Sequence, residues 1–122
     1  MNDQIKTEGP HTGGFLFSEA NGSLSRDKGW VTGGHYNPGQ VLGHIPASNR
    51  YTALDPNATD GSQKAAAILY AAVDASEADQ EATLIMRHGE VKAELLIWPV
   101  GMAADAVNIA IAQLAANALV VR

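Results

Sequence analysis

Ala82-Thr-Leu-Ile-Met-Arg-His-Gly-Glu-Val-Lys-Ala-Glu-Leu-Leu-Ile-Trp98 is the stretch on which the reading of the chain turns. It predicts a β-hairpin with a two-residue turn at His88-Gly89, because Gly takes a positive φ freely and His tolerates it better than most residues. That turn sets Arg87 opposite Glu90, Met86 opposite Val91, Ile85 opposite Lys92, Leu84 opposite Ala93 and Thr83 opposite Glu94. Side chains alternate faces along a strand. One face then carries Ala82, Leu84, Met86, Val91, Ala93, Leu95 and Ile97, all apolar. The other carries Thr83, Ile85, Arg87, Glu90, Lys92 and Glu94, nearly all polar. A slip of one residue would destroy the split.

Trp98-Pro99 ends the second strand, since Pro cannot donate to a ladder. Met102 to Ala116 is Ala-rich, free of Pro and Gly, and predicts a helix. Asn117 suits a left-handed cap, and Ala118-Leu-Val-Val-Arg122 predicts a last strand. On the helix Asp105, Asn108 and Gln113 are polar, while Val107, Ile111 and Leu114 lie opposite. Ile109 falls only ~40° from Asp105 at roughly 100° per residue. An Ile on the polar side is either a single exposed residue, which is common, or a second apolar contact.

Length and charge bound the rest. The chain has 122 residues, no cysteine and a formal net charge of −5. One domain with a modest core is expected. An acidic chain without a basic stripe argues against nucleic-acid binding. Disulfides and thiolate metal sites are excluded by composition. The first residues are polar, so no secretory leader is expected, and the longest apolar run, Ala65 to Val73, is too short to span a bilayer.

The two halves differ. Ten of the twelve glycines and four of the five prolines precede Lys64, so loops and short strands are expected first and the compact core second. Residues 1–14 are polar and glycine-rich, with too little apolar surface to offset their ordering entropy. They predict an arm that is mobile in the free protein. Phe15-Leu-Phe17 follows, an apolar patch that either folds back on its own domain or docks on a partner, as extended segments do when they add a strand to another chain's sheet. Trp30-Val-Thr32, Gln40 to Ile45 and Arg50 to Leu54 are strand candidates. Asn37-Pro-Gly39 is a turn with Pro and Gly in their usual places. Gln63 to Val73 is a continuous apolar run of the kind buried on both faces. Asp74 to Gln80 is an acidic loop.

No catalytic pattern emerges. His11, His35, His44 and His88 show no metal-ligand spacing. Asp55, Asn57 and Asp60-Gly61 fail the calcium-loop pattern, which needs Gly at the sixth position and Glu at the twelfth, and a turn is the better reading. There is no nucleophile elbow, P-loop or dinucleotide fingerprint. The expectation is a protein that is not an enzyme and carries no cofactor or metal.

The ordered set of motifs resembles the head decoration proteins of lambda-like tailed phages. The match runs through Asp60-Gly61, Ala67-Ile-Leu-Tyr-Ala-Ala-Val-Asp74, the predicted hairpin, Leu96-Ile-Trp-Pro99, a short helix and a terminal strand. In the first half it runs through Gly14-Phe-Leu-Phe-Ser-Glu-Ala-Asn-Gly22, Ser25-Arg26 and Pro38-Gly-Gln-Val-Leu-Gly43. The resemblance implies an α+β, mostly β fold: a β-clip-like bent ribbon with one short C-terminal helix and an extended N-terminal arm. It implies homotrimers on the outer surface of the expanded head, clamping major capsid proteins, with no direct nucleic-acid or membrane contact. On this basis residues 1–28 are expected to form the docking arm and residues 29–122 a single compact domain. Phe15, Leu16, Phe17 and Ser18 are the expected capsid-binding residues, and Ile109 the expected oligomer contact. The alternative is a small β-clip ligand- or carbohydrate-binding module, which predicts a concave pocket lined by polar groups.

Overall fold

The computed structural model describes Gly14, residues 16–19 and residues 25–122. In chain order the strands are β1 (Leu16–Glu19), β2 (Arg26–Val31), β3 (His35–Tyr36), β4 (Val41–Ile45), β5 (Arg50–Ala53), β6 (Ala65–Leu69), β7 (Val73–Asp74), β8 (Gln80–Ile85) and β9 (Gly89–Val91). A single turn of 3-10 helix (Ala93–Leu95), the helix α1 (Ala104–Ala115) and β10 (Leu119–Val121) complete it. Over the described residues the chain is therefore α+β and mostly β, with one short C-terminal helix among its elements, as expected.

Five strands close a small barrel in the order β2-β5-β4-β6-β8. The β2–β5 pair is parallel and the other contacts are antiparallel. Alternation along the strands makes the barrel wall two-sided. Val31, Leu42, Ala67, Leu69, Ala82 and Leu84 form the core inside it. Val41, Ile68 and Ile85, which lie in register across β4, β6 and β8, belong instead to a second core with Leu54, Val91, Leu96, Ala110, Leu114 and Leu119. That second core is covered by α1 and by a three-stranded sheet in the order β1-β9-β10. β6 thus explains the apolar run: its wall faces a core on both sides, and Ala67, Ile68 and Leu69 are fully buried. β3 and β7 form a separate two-stranded sheet.

The hairpin expected at Ala82–Trp98 does not form. His88 does turn the chain, with φ of 57°, but the two strands part company there. β8 pairs with β2 and β6, whereas β9 pairs with β1 and β10. The second strand also stops at Val91, and Ala93–Leu95 turns as 3-10 helix. Leu95, assigned to the apolar face, is 46% exposed, and Ile85, assigned to the polar face, is fully buried. Alternation identified half-buried strands correctly but could not say which neighbours they would find. A six-residue ladder with β2 and a place in two cores outweigh the local turn.

Other boundaries moved less. The helix is Ala104–Ala115 within the expected 102–116. The left-handed residue after it is Ala118, with φ of 60°, rather than Asn117. Its carbonyl accepts the Gly89 N–H at 3.1 Å, which joins the helix exit to β9. β2 starts at Arg26, ahead of the expected Trp30, because β8 offers it partners from Ile85 to Gln80. It therefore runs across the expected arm–domain boundary at 28/29. The Asn37-Pro-Gly39 turn is present: Gln40 N–H reaches the Asn37 carbonyl at 3.1 Å and Gly39 has φ of 95°. A side chain at Gly39 would meet the Leu95 carbonyl at 2.6 Å, so only glycine fits where the 3-10 turn crosses the barrel.

Candidate interaction surface

Of the expected docking residues, Leu16, Phe17 and Ser18 lie in β1, at the edge of the three-stranded sheet. Phe15 lies outside the described residues. Leu16 is half-buried and packs against the second core, opposite Val91. Phe17 and Ser18 lie within β1, with Ser18 opposite Glu90 and a register irregularity between Leu16 and Ser18. β9 is the central strand, so β1 and β10 are the edges. Among the described residues no strand pairs with the outer edge of β1.

The helix presents its expected odd residue outward. Ala110 and Leu114 are its buried residues, and Ile109 is 60% exposed beside exposed Asp105 and Asn108. What holds the helix on the barrel is polar as well as apolar: Gln113 Oε1 accepts the Ala65 N–H at 2.8 Å. The docking and helix positions chosen from sequence therefore lie on two different elements over the same second core.

Sequence reasoning missed several exposed apolar positions, Val120 and Trp30 among them. Val120 is 40% exposed, between buried Leu119 and half-buried Val121 on β10, and the alternation of a short edge strand was the available signal. Trp30 is 45% exposed on the outside of β2, with the Arg50 guanidinium 5.7 Å from its ring centroid. Arg50 Nε is also held by Asp79 Oδ2 at 2.7 Å. That contact spans 29 residues of sequence, and no local pattern could have shown it.

Charges on the surface are mostly tied to backbone or to each other. Arg122 pairs with Glu90, and Arg87 Nη2 pairs with Asp27 Oδ2 at 2.5 Å. Asp60 is held below the usual carboxylate range by the Ser62 hydroxyl and backbone N–H. Ser76 does the same for Asp74, and the Thr32 hydroxyl and Arg50 do it for Asp79. Burial of Tyr51 pushes its phenol up, and neighbouring Asp27 adds to that. The Tyr51 ring packs 4.8 Å from His44. His44 in turn bonds Asn49 Oδ1 at 2.8 Å.

Among the described residues no group of three His, Cys, Asp or Glu is placed to hold a metal ion. No helix among them is long and apolar enough to cross a membrane. An open groove runs between Asp55, Pro56 and Asn57 on one side and Pro99, Val100 and Met102 on the other. Asp55 Oδ1 accepts the Asn57 N–H at 3.0 Å. The groove offers apolar wall rather than the converging polar groups that hold a small ligand.

The described surface thus presents β1 at a sheet edge and Ile109 outward on the helix. Comparison with known families gives the class: a phage head decoration protein, a structural component of the virion's capsid surface. The family model for bacteriophage lambda head decoration protein D matches residues 5–119, and the chain belongs to that family. No curated protein matches the chain.

Proposed function

We propose that this protein binds the outer surface of the expanded head as a homotrimer and clamps neighbouring major capsid proteins, mechanically and without catalysis. Family membership across residues 5–119 carries the reading. In it, Phe15, Leu16, Phe17 and Ser18 dock on the capsid protein, with Leu16 anchored on the chain's own second core. Residues 1–28 act as the arm and 29–122 as the body, joined through β2. Ile109 supplies apolar contact to the next copy. Three arms on one platform raise the effective concentration of each, so avidity exceeds single-arm affinity by orders of magnitude. Binding that favours the expanded shell stabilises that state by mass action.

The test is co-sedimentation with expanded, undecorated heads of the cognate phage, paired with light scattering of the free protein. Full-length protein is expected to pellet and saturate near one trimer per three-fold site. Phe15→Ser with Phe17→Ser is expected to leave the body folded and weaken binding about tenfold or more, the loss typical of removing anchor residues from an interface. Ile109→Glu is expected to lower the oligomeric mass. A folded double variant that pellets like the parent overturns the arm's role. Full-length protein that stays in the supernatant overturns the whole reading.

A further inference from the structure

We draw no further inference here: the strongest candidate, the half-exposed Trp30 on the outer wall of the barrel beside Arg50, carries nothing because nothing in the structure shows what covers it.

Discussion

Ala118 sits in a backbone conformation that suits glycine. Its φ of 60° brings Cβ against the neighbouring backbone, at a cost of roughly 1–2 kcal/mol for an L residue. The position persists because the turn out of α1 must deliver the Ala118 carbonyl to Gly89. Ala118→Gly relieves the strain and also loosens the unfolded chain, which offsets part of the gain. A net stabilisation of about 0.5–1 kcal/mol is expected, read as a higher urea midpoint. A lower midpoint would mean that the left-handed residue is not strained. Asp79 makes a second residue-scale case. Hydrogen bonds from Thr32 and Arg50 hold its carboxyl below the ordinary aspartate range. A depressed native pKa contributes stability that is fully present above the unfolded value and is lost as pH falls through the native one. Melting temperature should therefore be flat above about pH 5 and fall below about pH 4. Asp79→Asn should make that fall shallower. An unchanged slope would put the acid sensitivity on Asp60 and Asp74 instead.

At the scale of elements, α1 is attached by its buried face and by one specific bond. Gln113 Oε1 receives the N–H of Ala65, a residue only 5% exposed. Gln113→Ala leaves that donor without its partner and should cost about 1–3 kcal/mol. Amide exchange at Ala65 should quicken, and Gln113→Glu, which keeps an acceptor, should restore most of the protection. Equal exchange in all three would show that water replaces the side chain freely. The same element shows what sequence could and could not reveal. Composition, Ala-rich and free of Pro and Gly, placed α1 within two residues at its start and one at its end, and helical spacing set Ile109 on the side of Asp105. The strand candidates at 40–45 and 50–54 came within one residue for the same reason: composition and turn chemistry are local. The pairing of β8 and β9 was not local. A two-residue turn and perfect alternation favour a hairpin only while no better partner exists, and the better partners lay at Arg26–Val31 and at the two ends of the chain. The edge position of β1, on which the proposed docking role depends, follows from that same long-range choice. Sequence marked Phe15–Ser18 by its apolar character and could not have marked it by its neighbours.

At the scale of the molecule, the protein is a barrel with a second core laid against its outside. The strands of the barrel lie between Arg26 and Ile85, and none of its pairings needs the residues beyond. The covering sheet is drawn from opposite ends of the chain: β1 at 16–19, β9 at 89–91 and β10 at 119–121. During synthesis the ribosome releases β1 ahead of the barrel, yet its partner β9 comes out only after every strand of the barrel. β9 gains its other neighbour only when β10 follows. Closing such long loops late is slow. Refolding followed by pulsed amide labelling should therefore protect Leu84 in β8 before Val91 in β9, and simultaneous protection would argue for a single concerted step. The nascent chain thus carries β1 as an unfinished seam, which β9 and then β10 complete.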